Sequence, residues 1–169
     1  MPVSASTHGG GKIIEDDFYK PVADYLRGEL DECTRAIPLG GKRFQDKWGT
    51  PDVIGILEPP RSAIIKPPTE IVTAEVKINT SDLVTAFGQA CAYKVFSHKV
   101  YLAIPKKSDR KDLDKLDALC NIFGIGLILF DHNNPRAPGF EIRVRATKQD
   151  PDMFYVNYYM KYVEKELFS

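Results

Sequence analysis

The chain has 169 residues, of which 43% are hydrophobic, and its 23 Lys and Arg side chains balance 23 Asp and Glu. This length suits one domain with a sizeable core, and the zero net charge excludes a polybasic protein that binds nucleic acid through long-range attraction. No segment approaches the roughly 18 apolar residues of a membrane span, so we expect no membrane partner. The beginning lacks the apolar core of a signal peptide, and the three widely spaced cysteines predict free thiols, so we expect a cytoplasmic protein.

The first half of the chain predicts one helix and three strands. Residues 1–11, rich in Gly, Ser and Thr, predict a disordered lead, and residues 12–169 predict a single domain. Apolar side chains at helical spacing predict a helix from Ile13 to about Asp31. Apolar runs bounded by Gly and Pro predict three strands, at 33–39, 53–57 and 71–78.

The second half alternates helices with strands. Apolar stripes predict a helix capped by Ser81 or Asp82 and another that stops at Gly124, while Asp150 before a proline predicts a final helix over 152–167. Apolar runs predict three more strands, at 98–105, 126–130 and, as a half-exposed edge, 140–146. Strands that are apolar on both sides imply a sheet covered on both faces. The pattern therefore predicts an α/β fold, a three-layer α/β/α sandwich with a central mixed sheet.

Three polar residues occupy special places in the two central strands. Asp52 opens the strand at 53–57, while Glu75 and Lys77 lie two apart on the strand at 71–78 and so point to one face. Burying a carboxylate and an ammonium on one face is costly without a partner or a metal ion. Mg²⁺ takes oxygen ligands, activates water and polarises a phosphoryl oxygen. We therefore predict metal-assisted phosphodiester hydrolysis, in which Asp52 and Glu75 bind the ion and Lys77 stabilises the developing charge.

Each of these residues also has an ordinary interpretation. Glu75 and Lys77 can form an ion pair on a partly exposed strand, and Asp52 can cap the entrance of its strand. The apolar neighbours of the pair, Ala74 and Val76 among them, argue against an exposed strand. The spacing of 23 positions between the two acids suits adjacent antiparallel strands joined by a loop.

A basic, glycine-punctuated loop precedes the first of these two strands. Lys42, Arg43 and Lys47 are candidate contacts for the phosphates of a substrate. The alternative is a solvated loop in which an aromatic side chain, Phe44 or Trp48, turns inward. Both interpretations stay open at the level of the sequence.

The Pro-Asp dipeptide that ends at Asp52 and the Glu-Val-Lys triplet from Glu75 to Lys77 resemble the signature of the PD-(D/E)XK nuclease superfamily, also termed restriction-endonuclease-like. The core of this superfamily has the element order αβββαβ. The elements predicted over 13–105 match that order. Residues 106–169 then form a C-terminal elaboration that adds a strand and a helix.

The resemblance implies further site residues. Many members have a ligand Glu on the first helix, where Glu15 lies here, and the main-chain carbonyl of Val76 is an implied extra ligand. RecB-type members carry Gln-x-x-x-Tyr on the helix after the Glu-x-Lys strand, and Gln89 and Tyr93 match this spacing. A helix places both on one face, so the resemblance implies an accessory role for Gln89 and a substrate contact for Tyr93. The ordinary alternatives are an acidic first turn, an exposed helix position and a core tyrosine.

The function implied by the resemblance is a Mg²⁺- or Mn²⁺-dependent nuclease, an endonuclease that hydrolyses DNA with water as the nucleophile. Members often act as dimers, so we expect a homodimer or larger assembly, for which the closely spaced tyrosines of the last helix offer an interface. The alternative is a catalytically inactive or partner-dependent nuclease-fold subunit that binds DNA, which the zero net charge favours slightly. A site for a small phosphorylated ligand is a third interpretation, without support from a glycine-rich phosphate motif.

Overall fold

A six-stranded mixed sheet forms the centre of the protein in a computed structural model that describes residues 11–169. Of the predicted lead at 1–11, all but Gly11 lies outside the described residues. The strands are, in chain order, β1 (Arg35–Pro38), β2 (Val53–Leu57), β3 (Glu70–Val76), β4 (Lys99–Pro105), β5 (Gly126–Phe130) and β6 (Glu141–Val144). The α-helices of the described chain are α1 (Tyr19–Arg27), α2 (Leu83–Tyr93), α3 (Arg110–Phe123), α4 (Met153–Met160) and α5 (Glu164–Leu167).

The strands lie in the sheet in their chain order, from β1 at one edge to β6 at the other. Strands β3, β4 and β5 are parallel to one another, while β1, β2 and β6 join antiparallel neighbours. Parallel neighbours need a crossover connection, and α2 and α3 supply the two crossovers. The register of β2 on β3 pairs Val53 with Ala74, which brings the beginning of β2 next to the end of β3.

Helices cover both faces of the sheet. Helix α1 buries Val22 and Leu26 in a cluster with Val72 and Ala74 on one face, while α2, α3, α4 and α5 contribute buried side chains to a second cluster on the opposite face. The predicted three-layer sandwich is therefore confirmed, and its elements from α1 to β4 follow the order αβββαβ. Strand β6 alternates exposed and half-buried side chains at the sheet edge, as predicted. Within residues 11–169, no helix combines the length and apolarity needed to cross a membrane.

The first helix is shorter than predicted. Instead of one helix to Asp31, a 3₁₀ turn at Glu15–Phe18 leads into α1, which ends at Arg27. Pro21 has no N–H to donate to the carbonyl of Asp17, so one α-helical hydrogen bond cannot form at this point. After α1 the backbone leaves the helical region at a glycine, and Asp31 takes a positive φ of 53°.

The final helix is divided in two. The helix predicted over 152–167 consists of α4 and α5, separated by a turn in which the carbonyl of Tyr162 accepts a hydrogen bond from Arg43 Nη2 at 2.8 Å. This contact uses an acceptor that a continuous helix would pair internally. The cap also differs from the prediction, because Asp152 rather than Asp150 accepts hydrogen bonds from the first N–H groups of α4.

The three cysteines are free thiols, as expected. Cys33 and Cys120 are buried, and Cys91 is half-buried. Burial raises the pKa of each thiol, which keeps the sulfur protonated and unreactive.

Candidate active site

Asp52 lies directly before β2, at the corner where β2 begins and β3 ends. Its backbone N–H donates to the carbonyl of Ala74 at 3.1 Å, which extends the pairing of the two strands by one residue. Its carboxylate atom Oδ2 accepts the N–H of Val76 at 2.7 Å, and only 7% of the residue is exposed. The carboxylate is thus fixed against the end of β3, so the strand-capping interpretation describes part of what Asp52 does.

Glu75 and Lys77 lie at the end of β3, on the sheet face that α2 covers. Glu75 is 3% exposed, and the Nζ atom of Lys77 lies 3.6 Å from its Oε1 atom. The side chain of Lys77 is 26% exposed, so the ammonium reaches the surface while the carboxylate does not. Because β2 and β3 are antiparallel and Val53 pairs with Ala74, Asp52 lies opposite Glu75 on the neighbouring strand. The structure therefore brings the three predicted residues together at one corner of the sheet.

Burial and mutual repulsion make the charged forms of both acids unfavourable. Loss of solvation raises the pKa of the Asp52 carboxyl, although hydrogen bonds from Val76 and Tyr19 oppose this rise. Loss of solvation also raises the pKa of Glu75, the charge of Asp52 adds to the rise, and Lys77 counteracts it. A corner with two such acids favours the approach of a further positive charge.

Tyr93 holds Glu75 in place, while its predicted contact with substrate stays a prediction. Its hydroxyl donates to Glu75 Oε2 at 2.7 Å and lies 3.2 Å from the carbonyl oxygen of Thr50. The residue is 2% exposed, so the hydroxyl is turned away from solvent. Burial, together with the charge of Glu75, raises the pKa of this phenol above its ordinary value and keeps it a proton donor. Tyr93 is thus a positioning residue for Glu75.

Tyr19 belongs to the site although no sequence pattern singled it out. Its hydroxyl lies near the carboxylate of Asp52, and burial and that charge raise the pKa of the phenol. The ring fits because Gly40 has no side chain: a Cβ there would lie 2.9 Å from Cε2 of Tyr19. Tyr19 follows Glu15 by four positions in the same helical segment, and this spacing is the one signal for it in the sequence.

A polar cavity of about 250 Å³ opens at Lys77, which is the one member of the three that lines it. Glu15, Lys77 and Gln89 line it, which places both predicted accessory residues around one opening. The other lining residues belong to the connection into α2 and to its first turns: Asn79, Ser81, Asp82 and Thr85. Glu15 is held there because its Oε1 atom accepts the N–H of Ile78 at 3.2 Å. None of these four residues was predicted as part of the site.

The oxygen donors at this corner match the ligand preference of Mg²⁺ and Mn²⁺. They are the carboxylates of Asp52 and Glu75 and the buried Oε1 of Gln89, which has no hydrogen-bond partner among the described residues. Between residues 11 and 169, no group of three or more His, Cys, Asp and Glu side chains is arranged to hold a metal ion. Mg²⁺ commonly uses one or two carboxylates and keeps several waters, so two acids suffice. The ligand roles of Glu15 and of the Val76 carbonyl stay predictions.

The basic loop serves partly for packing. Arg43 donates to the carbonyl of Tyr162 and pairs with a glutamate of α5, so its charge is used within the protein. Phe44 is 1% exposed, as the alternative interpretation of this loop requires. Lys42 and Lys47 are exposed and form no ion pair within the described part of the chain. Contacts of the three cations with substrate phosphates stay a prediction.

Comparison of the chain with protein-family models, curated protein sequences and solved structures gives no match. The interpretation of the site therefore depends on the residues themselves. Two buried acids lie at one corner of the sheet, and the cavity beside it is lined by a partly exposed lysine and by a glutamine whose amide oxygen is unpaired among the described residues.

Proposed function

We propose that the protein is a divalent-metal-dependent nuclease that hydrolyses phosphodiester bonds of DNA, as its resemblance to the PD-(D/E)XK superfamily implies. The observation that supports this most directly is the convergence of Asp52, Glu75 and Lys77. Two carboxylates that are unfavourable as neighbouring anions lie within reach of one ammonium and one polar cavity. That combination suits a cation and a phosphate better than it suits the protein core alone.

Asp52 and Glu75 are the residues that would hold Mg²⁺ or Mn²⁺. When bound, such a cation lowers the pKa of a nucleophilic water and stabilises charge on the phosphoryl group. The N–H of Val76 fixes the Asp52 carboxylate and the hydroxyl of Tyr93 fixes that of Glu75, which reduces the reorganisation needed during the reaction. Gln89 offers a neutral acceptor that can orient a water through its unpaired oxygen.

Lys77 is the residue best placed to meet a substrate phosphate. Its ammonium is held 3.6 Å from Glu75 Oε1, and its side chain lines the cavity with 26% of its surface exposed. A fixed cation at this point stabilises the negative charge that develops on the phosphoryl oxygens. Hydrolysis by water requires no covalent intermediate with the protein, so no further nucleophilic side chain is needed.

A second candidate is a nuclease-fold subunit that binds DNA without cutting it, or cuts only with a partner. The internal ion pair of Arg43 favours this alternative, because it leaves two exposed lysines on the basic loop. A free-standing enzyme on DNA usually presents more positive surface than a neutral chain does.

The test is a cleavage assay on plasmid and oligonucleotide DNA with Mg²⁺, Mn²⁺ or EDTA. We expect metal-dependent cutting that Glu75→Gln abolishes and that Lys77→Met slows by about 10²- to 10³-fold. The matched control is Glu70→Gln, because Glu70 is a buried glutamate of the same strand whose carboxylate pairs with Lys148 at 3.1 Å. That variant should cut at the rate of the wild type.

Three outcomes discriminate between the two candidates. Cutting in EDTA, or equal cutting by Glu75→Gln, contradicts a metal-dependent mechanism at this corner. DNA binding without cutting in any metal supports the inactive or partner-dependent subunit. Thermal melting of each variant establishes that lost activity does not reflect lost folding.

A further inference from the structure

A second cavity, of about 210 Å³, lies on the far side of Tyr93 from Glu75 and is lined by aromatic rings. We term it the aromatic cleft and define it by Trp48, Tyr93, Phe96, Tyr155 and Tyr159. Tyr93, Phe96 and Tyr159 are buried and form its floor. The cleft thus connects the basic loop, α2 and α4 in one concave surface.

The outer side chains of the aromatic cleft are exposed to an unusual degree for their size. Trp48 is 64% exposed and Tyr155 is 41% exposed. On the same helix, Phe154 and Tyr158 are 69% and 39% exposed and their rings stack on each other. Exposed aromatic faces grouped around a cavity mark a binding surface rather than a core.

Positive charge accompanies these rings. The ammonium of Lys47 lies 5.9 Å from the centroid of the Trp48 ring, and that of Lys161 lies 4.3 Å from the Tyr158 ring. The carboxylate of Asp46 also lies nearby and accepts a hydrogen bond from the Tyr159 hydroxyl at 2.5 Å, so the two ammonium groups outnumber one acid. Flat apolar faces beside ammonium groups complement a ligand that is both aromatic and anionic, as a nucleotide strand is.

Tyr93 lies between the aromatic cleft and the acidic corner and contacts both. Tyr93 contributes to the floor of the cleft while its hydroxyl donates to Glu75. Trp48 precedes Asp52 by four residues, which limits the separation of their Cα atoms to about 14 Å. The cleft and the acidic corner are therefore close enough for one strand to span both.

We propose that the aromatic cleft stacks an unpaired base of single-stranded DNA and so delivers single-stranded or frayed DNA to the acidic corner. The choice of DNA rests on the proposed function, whereas the stacking itself rests on the cleft. A base inside a duplex is covered on both faces by its neighbours and cannot enter, while an unpaired base offers a free face to Trp48. The cleft thus sets the substrate class of the site.

The test measures binding of a labelled oligothymidylate by fluorescence anisotropy in EDTA, where the proposed reaction cannot proceed. Each base–aromatic stack contributes enough affinity that Trp48→Ala should weaken binding roughly 5- to 100-fold. Trp48→Phe keeps an aromatic face and should recover most of the affinity. Phe168→Ala, which removes an aromatic side chain that is 45% exposed outside the cleft, should bind as the wild type does. Trp48 is the one tryptophan of the chain, so its fluorescence should be quenched by the oligothymidylate.

An abasic oligonucleotide of the same length separates stacking from charge attraction. The wild type and Trp48→Ala should bind it equally, because no base is present. Equal binding of oligothymidylate by the wild type and Trp48→Ala, or an equal loss with the abasic strand, overturns the proposal. So does a dimer in sedimentation that Trp48→Ala dissociates without any effect on DNA. Base-dependent binding without metal-dependent cutting supports the cleft and contradicts the proposed nuclease function alone.

Discussion

Glu75 combines two properties that rarely occur together in a protein core. It is almost fully buried, yet its neighbours include a second carboxylate opposite it on the adjacent strand. The hydroxyl of Tyr93 and the ammonium of Lys77 reduce the cost of the charge without removing it, since the pKa of Glu75 stays above its ordinary value. Such a residue is a source of instability in the absence of a cation.

This instability predicts a characteristic pH dependence in EDTA. In the folded state Asp52 and Glu75 keep their protons to higher pH than in the unfolded chain. The free energy of unfolding should therefore fall as pH rises from about 4 into the neutral range. Glu75→Gln should flatten this decline and stabilise the protein by about 1–3 kcal/mol at pH 8, as a tenfold change in proton affinity equals about 1.4 kcal/mol. Urea unfolding at several pH values measures both effects.

Metal ions supply the control for this prediction. Mg²⁺ or Mn²⁺ should raise the melting temperature of the wild type more at pH 8 than at pH 5, because the acids must lose protons to bind the cation. The gain should be absent from Glu75→Gln. An equal pH dependence of stability in the metal-free wild type and in Glu75→Gln would show that Glu75 is not destabilised as described.

At the scale of elements, a histidine directly before β4 joins the beginnings of the parallel strands β3 and β4 through two hydrogen bonds. The N–H of His98 donates to the carbonyl of Ile71 at 2.8 Å, and its Nδ1 atom accepts the N–H of Ile71 at 2.9 Å. This geometry requires a neutral imidazole. Burial lowers the pKa of His98, against the attraction of Glu70.

We expect the start of β4 to lose stability in mild acid. The folded pKa of His98 lies below the unfolded value, so its contribution is complete above about pH 6.5 and declines as pH falls, when the unfolded chain binds the proton first. His98→Asn retains an acceptor at the position of Nδ1 but does not titrate, so it should abolish this acid-induced decline. Subtracting the unfolding free energies of variant and wild type at each pH isolates the effect from that of the carboxylates.

His98→Ala serves as the comparison for this experiment. It leaves the buried N–H of Ile71 without a partner, which should cost about 1–3 kcal/mol at every pH. If the stability of His98→Asn falls in acid as steeply as that of the wild type, the titrating group is not His98.

Helix ends that depend on a capping residue or a glycine nearby in the sequence were predictable, whereas a helix break that depends on a distant contact was not. Helix α2 begins at its predicted cap, since Asp82 accepts the N–H of Thr85 at 3.2 Å, and α3 ends at Gly124, whose φ is +70°. The break between α4 and α5 depends on Arg43, which is far away in the sequence. No periodicity in the last helix could indicate it.

The site shows the same division. Asp52, Glu75 and Lys77 stand out because they interrupt apolar strands, which is a local pattern. Tyr19 reaches Asp52 only because α1 packs over the beginning of β2 and because Gly40 leaves space for the ring. The base-stacking role proposed for Trp48 likewise depends on α4, a distant segment of the chain.

At the scale of the whole molecule, the C-terminal segment is part of the same core as the acidic corner. Val163 and Leu167 are fully buried and join the cluster that contains the floor of the aromatic cleft. Arg35 on β1 donates to the carbonyl of Leu167 at 3.1 Å, and Arg43 pairs with α5. The segment at 106–169 is thus integral to the sandwich rather than an appendage to it.

This integration predicts that a small change at the C-terminus destabilises the entire protein. Leu167→Ala should cost about 2–5 kcal/mol, because it opens a cavity in a fully buried position, and it should lower the urea midpoint without changing the cooperativity of unfolding. The neighbouring Phe168→Ala removes a side chain that is 45% exposed and should change stability by no more than about 0.5 kcal/mol. A fragment of residues 11–105 that unfolds cooperatively at the urea midpoint of the full chain would contradict this, because α5 and the strands would then be separate folding units.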